Sequence, residues 1–465
     1  MTDNFQNKHI LFLVPDGVGI KNYLYSGIIK YLRSKAKITI WSPLPIEAFE
    51  DVKKIHQIEF GYRQITFKPE SSLTRLYREA TTYARLKRNT KLKTNPTILT
   101  NWRKPGYSIK AKLLYKFAEL LGNFIGDDYS KILMYEAKSQ KHISADIIKK
   151  YKKDLEELKP TSIFITHQRV PGVMPICIAA HKLGIETTTA IFSWDNLPKA
   201  RLAVKTDNYV VWSHWMKDEM KDYYPEIPTD KVLRLGTPQF EFYLDNERIL
   251  SREDFAKKYN LDPKRQWICF SGDDIITSPY DQHFLRDVAE TLNAEKDTLQ
   301  IIFRRCPVDF SDRYDEVLKK YKDLIVAIDP LWNIQSETGW VGYFPKYEDV
   351  NMQINLAYHC ELVVNLGSTM ALDFATFNKP CLYLNYNPSN DMSWSTEIIY
   401  NFQHFRSMQG LNAVGWIKSK SEIRQQVLNT LDSPVNIAPD IQKWKEKLVL
   451  HPLDESSKHI AKALL

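Results

Sequence analysis

Residues Glu361–Tyr386 read ELVVNLGSTMALDFATFNKPCLYLNY: an apolar run of strand length (Leu362–Leu366), a Gly-Ser-Thr turn, a helix carrying Met370, Leu372 and Phe377, and a second apolar strand. That order is a βαβ unit whose turn has the outline of a phosphate cradle. Gly367 permits a tight backbone, and Ser368 or Thr369 is placed to cap the helix. Free amides at the helix start, with the helix dipole behind them, favour an anion. Asp373, one turn in, carries a carboxylate able to accept from a sugar or ribose hydroxyl. An ordinary βαβ crossover has the same pattern, so the surrounding sequence must decide.

The same alternation extends in both directions. Upstream in the second half, apolar runs at Trp267–Phe270, Leu299–Phe303 and Leu324–Ile328 are separated by a helical pattern near His283–Leu292; another, near Val350–Tyr358, leads into the quoted stretch. The first half repeats the theme. His9–Val14, Ile38–Trp41, Ser162–Thr166, Thr187–Phe192, Tyr209–Trp212 and Val232–Leu235 read as strands, with helices at Tyr23–Leu32, Ala145–Leu158 and Met174–Leu183. Alternating strands and helices imply an α/β architecture of two doubly wound parallel sheets. A chain of 465 residues exceeds one hydrophobic core, and the polar stretch Tyr243–Asp262 marks the join, dividing it into 1–245 and 246–465. A helical insertion, about 71–138, interrupts the first domain.

Net charge is +8, and Lys68–Glu119 alone holds thirteen Lys or Arg against three Glu, a local +10. Such concentration predicts an anionic partner. Within Tyr107–Gly126, Ile109, Leu113, Leu114, Phe117, Leu120, Leu121 and Phe124 recur at helical spacing among Lys110, Lys112 and Lys116. That suits a helix on an anionic membrane surface, and equally the outer face of a packed insertion. Tyr77, Tyr83, Trp102 and Tyr107 interleave with basic residues, but no recognition module matches, so nucleic acid is not an expected partner. The five cysteines are scattered and mostly in apolar segments, as buried free thiols of a reducing cytoplasm are. No signal peptide or membrane span is legible, giving a cytoplasmic protein, peripheral at the membrane if the basic helix docks.

In open α/β sheets ligands sit beyond the carboxyl ends of the strands. After the first strand, PDGVGIKN offers Asp16 as an acid-base candidate, Gly17 and Gly19 for close backbone approach, and Asn22 where a dinucleotide fingerprint would have its third glycine. His167, Gln168 and Arg169 end the strand SIFITH, His167 as a second acid-base candidate. SWDNLPKAR brings Trp194 to stack on a sugar, Asp195 and Asn196 for its hydroxyls, and Lys199 and Arg201; the same density suits a contact between domains. In the second domain, Gly272 and Asp273 follow one strand and Arg304 and Arg305 another, guanidinium forks suited to phosphate. No histidine pair or carboxylate cluster has metal-ligand spacing, so neither metal nor cofactor is expected. P-loop, GxSxG and kinase motifs are lacking.

SWDNLPKAR, GTPQFEFY, SGDDIITSPYD, RRCP and NLGSTMALDFATFNKP together resemble glycosyltransferases of the GT-B fold, of the bacterial surface-polysaccharide type, across nearly the whole chain. The resemblance implies two Rossmann-like domains facing a central cleft, related in architecture to UDP-glycosyltransferases and glycogen phosphorylase. It implies a nucleotide-sugar donor, UDP-sugar favoured, held by the C-terminal domain through Gly272, Asp273, Arg304, Arg305, Gly367, Ser368, Thr369 and Asp373. A glycan or lipid-linked acceptor would lie against Gly17, Gly19, Asn22, Arg169, Trp194, Asn196 and Arg201, with Asp16, His167 and Asp195 as the catalytic candidates. Two departures stand out. The paired glutamates of retaining members are missing, Asn365 standing eight positions before Asp373, and Lys21 and Asn22 stand where inverting members carry a histidine. Sugar-nucleotide 2-epimerases and CDP-glycerol glycerophosphotransferases share the architecture, and a non-enzymatic membrane-docking scaffold is a further reading.

Overall fold

The computed structural model describes residues 8–102, 108–334, 342–390 and 393–465. In the first domain β1 (Lys8–Leu13), β2 (Ala36–Ser42), β3 (Gly61–Gln64), β4 (Ser162–Ile165), β5 (Glu186–Ala190), β6 (Asn208–Val211) and β7 (Val232–Arg234) form a parallel sheet in the order β3-β2-β1-β4-β5-β6-β7. In the second, β8 (Gln266–Ser271), β9 (Leu299–Arg304), β10 (Ile325–Ala327), β13 (Leu362–Asn365), β14 (Cys381–Leu384) and β15 (Gly415–Ile417) form a parallel sheet ordered β10-β9-β8-β13-β14-β15. A small antiparallel hairpin, β11 (Trp332–Ile334) with β12 (Tyr343–Pro345), stands apart from both. Central strands are buried on both faces, which is why they read as unbroken apolar runs. Both sheets are doubly wound, with the order reversing beside β1 and beside β8.

The insertion is helical, as its pattern predicts. Helices α1 (Ser72–Lys93), α2 (Ile109–Ile125) and α3 (Tyr129–Lys141) pack through Ala80, Ala84, Ala118, Ile125 and Ile132 into their own small core. Gly122 is required there: a Cβ would stand 2.8 Å from the Ala80 carbonyl oxygen of α1. Tyr107, first residue of the amphipathic stretch, lies outside the described residues.

The predicted helix Tyr23–Leu32 is two pieces, a π-helical turn Ile20–Leu24 and a helix Gly27–Leu32 capped by Ser26. The last helix, Ser456–Leu464, crosses back to the first domain, where Ser162 Oγ donates to the Leu464 carbonyl at 3.0 Å. The second domain therefore does not keep the C terminus to itself. Cys177, Cys269, Cys360 and Cys381 are buried and Cys306 half-buried, all as free thiols.

Candidate functional site

Register aligns the ends of the strands. Leu13 pairs with Trp41 and Ile165, and Ile165 with Thr189, so the loops carrying Asp16, His167 and Trp194 leave one edge of the first sheet. Ser271 pairs with Arg304, while Val364 pairs with Phe270 and Leu382, so the loops after Ser271, Arg304 and Asn365 leave one edge of the second. Between these edges lies a cavity of about 270 Å³ walled by both domains.

The second-domain wall is the predicted turn. Gly367 has φ +71°, and a Cβ there would stand 2.7 Å from the Phe405 ring, so glycine is needed for conformation and for space. Asn365 Oδ1 accepts from the Ser368 amide at 3.0 Å and Ser368 Oγ from the Met370 amide at 3.3 Å, which fixes the start of helix Met370–Ala375. Thr369 is the N-cap by position but its side chain makes no cap bond. The Thr369 hydroxyl instead accepts from Trp194 Nε1 at 3.3 Å across the domain boundary. Asp273 and Asp274 border the same cavity. Asp274 is occupied with its own turn, accepting from the Ile276 and Thr277 amides and the Thr277 hydroxyl. Burial, then repulsion from Asp274 and Asp281, pushes the Asp273 pKa well up from the usual carboxylate range.

The first-domain wall comes from SWDNLPK and from the insertion, through Thr97, Thr100 and Asn101. Asp195 accepts from Ser193 Oγ at 2.6 Å and Asn196 Nδ2 at 2.8 Å and is bonded to Lys199 Nζ. Burial alone would raise its pKa; Lys199, His404 and these hydrogen bonds hold it well below the carboxylate range. His404 also lines the cavity, its pKa lowered to about 4, chiefly by burial, so its ring is neutral. Trp194, 2% exposed, is boxed edge-on by His404, Phe405 and Trp444. Its ring joins the domains and offers no face for a sugar to stack on. Asn196 is likewise committed, its Oδ1 accepting from Gln168 Nε2 at 3.0 Å.

Asp16 and His167, alternatives in the sequence, form one unit. His167 Nδ1 is hydrogen-bonded to Asp16 Oδ2, and Asp16 Oδ1 accepts from the Gly19 amide at 3.3 Å. Burial works against the Asp16 charge, but His167 and the Gly19 and Val18 amides keep its pKa below normal. An ionised Asp16 makes Nδ1 a donor, and in the neutral ring Nε2 then carries the lone pair. That Nε2 is buried and has no hydrogen-bond partner. The ring rests against Phe192, 4.3 Å between centroids, in the loop that runs on to Trp194.

Other predicted residues lie elsewhere. Arg304 is buried, with Nη2 at 3.0 Å from both oxygens of the fully buried Asp349, and its guanidinium is not a wall of the cavity. Arg305 turns to the Ser311 carbonyl and to Asp329 and Asp315. Among the described residues that line the cavity, the lysine is Lys199, paired with Asp195. Asp373 is buried behind the turn, accepting from Gln353 Nε2 at 3.0 Å, and Lys21 reaches Gln353 Oε1 at 2.5 Å, so the two domains meet here in a polar network. Burial raises the Asp373 pKa against the pull of Lys21. Gly17 is pressed against the hairpin, where a Cβ would meet the Tyr343 carbonyl at 2.1 Å, and Gly19 against Thr166; both serve packing. Asn22 is buried, Gly272 donates its amide to the Arg304 carbonyl, and Arg201 bonds Glu79 of the insertion. Arg169 follows His167 half-buried. Among the described residues no group of three or more His, Cys, Asp or Glu is placed to hold a metal.

No family model matches the sequence, and no curated protein matches it. Solved structures do. MnaA of S. aureus, in a co-structure with UDP, shares 12% identity and a TM-score of 0.54 over 97% of this chain and 94% of that one. The UDP-GlcNAc 2-epimerase of Methanocaldococcus jannaschii shares 11% and 0.52 over 98% and 99%. A variant of the wall teichoic acid polymerase TagF shares 8% and 0.51 over 100% and 90%. The chain has the GT-B fold. At these identities the likeness to GT-B structures extends to architecture alone.

Proposed function

We propose that this GT-B protein is an enzyme, a metal-independent glycosyltransferase moving a sugar from a nucleotide-sugar donor, UDP-sugar favoured, to a glycan or lipid-linked acceptor of surface polysaccharide assembly. The observation that carries the reading is the cavity shared by the two domains, with the Gly367–Thr369 turn on one wall and Asp195, Lys199 and His404 on the other. Turn amides and Lys199 meet the departing diphosphate, with Asp273 on the same wall as the turn. The acceptor hydroxyl loses its proton to His167 Nε2, which Asp16 holds in the accepting tautomer. His167 Nε2 is buried in this structure, so an acceptor reaches it only when the packing around it opens.

A second reading rests on the same cavity: a 2-epimerase acts on the nucleotide-sugar alone and needs no acceptor. Isomerisation of a nucleotide-sugar with no acceptor present would decide for it. The reading as a whole is tested by thermal shift with UDP, GDP, CMP and TDP. A nucleotide at a hundred times its Kd stabilises by about 2.7 kcal/mol. Gly367→Val should abolish the response, and stabilisation that survives this change would place the nucleotide elsewhere.

A further inference from the structure

Helix α2 has two apolar faces, and only one is used. Tyr115, Ala118, Gly122 and Ile125 are buried, on the side packed against α1. On the opposite side Ile109, Leu113, Phe117, Leu120 and Phe124 are 49–76% exposed. At about 3.6 residues per turn these five fall within an arc of roughly 80°, a continuous stripe along the helix. Lys110 borders one side of it and Lys112 and Lys116 the other, all exposed. Lys131, from α3, stands 5.4 Å from the Phe124 ring. Among the described residues no salt bridge engages Lys110, Lys112 or Lys116. The helix is also tied to the cavity wall: Trp102, next to Asn101, donates its Nε1 to Glu119 Oε1 at 2.8 Å.

We propose that this outward face of α2 docks the protein on an anionic lipid bilayer, with the five apolar side chains in the acyl boundary and the flanking lysines on headgroup phosphates. Paired lysine rows argue for a bilayer over a second copy of the chain, because a twofold contact through this stripe would set like charges against each other. A lipid surface offers the opposite charge and takes a row of large apolar residues without a shaped partner. The docking face stands on its own geometry. That the acceptor is lipid-linked rests in addition on the transferase reading, since docking α2 holds the Thr97–Asn101 wall near the membrane.

The full chain should cosediment with vesicles containing phosphatidylglycerol, less with pure phosphatidylcholine, and less again in high salt. Phe117→Ser with Phe124→Ser should weaken binding to both vesicles at least ~10-fold, from the apolar area withdrawn. Lys110→Gln, Lys112→Gln and Lys116→Gln together should cost about 100-fold on anionic vesicles only. These side chains point outward, so melting temperatures should stay within about 1 °C of the unaltered chain. Absence of vesicle binding, binding indifferent to both sets, or a dimer in light scattering that the Phe changes dissolve would each overturn the proposal. Nucleotide thermal shifts should persist in both sets, so failure of docking and failure of the catalytic reading remain separable.

Discussion

Replacing Asp349 by alanine strips the partner from a guanidinium enclosed by protein. Arg304 Nη2 donates to both carboxylate oxygens at 3.0 Å, and its Nη1 lies 3.1 Å from Met352 Sδ. The same carboxylate accepts from the Leu331 amide at 2.8 Å and from Trp332 Nε1 at 3.0 Å. Breaking a buried pair from one side costs about 3–5 kcal/mol. The Leu331 and Trp332 groups are half-buried and can recruit water, so they add little, and we take about 4 kcal/mol. At roughly 2–4 °C per kcal/mol for a domain of this size, the second domain should melt about 8–16 °C lower. Calorimetry is the assay, because it separates the transitions of two domains. The double change Arg304→Met with Asp349→Leu should cost less than Asp349→Ala, since it leaves no stranded charge. The pH dependence has a definite sign. Burial opposes the Asp349 charge, but Arg304 and Lys21 keep its pKa below the usual value, so its contribution is present above the carboxylate range and fades as pH falls through it. If Asp349→Ala melts with the unaltered protein, and Arg304→Ala leaves melting untouched while abolishing the nucleotide response, the pair is not structural and Arg304 binds ligand.

Asp16→Asn and His167→Ala should each lower turnover about 10²–10⁴-fold with the nucleotide shift retained, and the double change should cost little more than either alone, because the pair acts as a unit. Full rates in both would remove the acid-base assignment. Glu241 accepts from the Ser457 amide at 2.5 Å, and burial raises its pKa from 4.5 to about 7. A raised carboxyl pKa stabilises the fold at acid pH and loses that contribution between pH 4.5 and 7, about 3 kcal/mol for the full shift. Glu241→Gln should therefore flatten the melting-temperature profile across that window; an unchanged slope would refute it.

Much of the fold is legible because central strands of a parallel sheet are covered on both faces and must be apolar throughout. Ile163–Ile165 and Leu362–Val364 could hardly read otherwise. Two of the four edge strands of the parallel sheets escape for the converse reason: β3, GYRQ, has no fully buried residue, and β15 is three residues long. The turn at Gly367 is legible because φ +71° and contact with Phe405 leave only glycine. His404, Gln403 and Phe405 carried no signal, since they lie in a short 3-10 turn far from any predicted strand end. Arg304 shows the opposite error: its position at a strand end suggests phosphate, but Asp349, 45 residues on, claims it.

By itself the sequence determined the alternation of strands and helices, the two sheets, the basic insertion and the turn at Gly367, because these follow from periodicity and backbone sterics within a few residues of chain. Tertiary structure decided which charges are spent on one another. Asp16 meets His167 across 151 positions, Lys21 meets Gln353 across 332, and Trp194 reaches Thr369 across 175. A local pattern shows that a residue can donate, accept or carry charge. Only the folded packing fixes whether its partner is another side chain or remains to be supplied by a ligand, because inside a protein each buried polar group must be matched by whatever lies within hydrogen-bond reach.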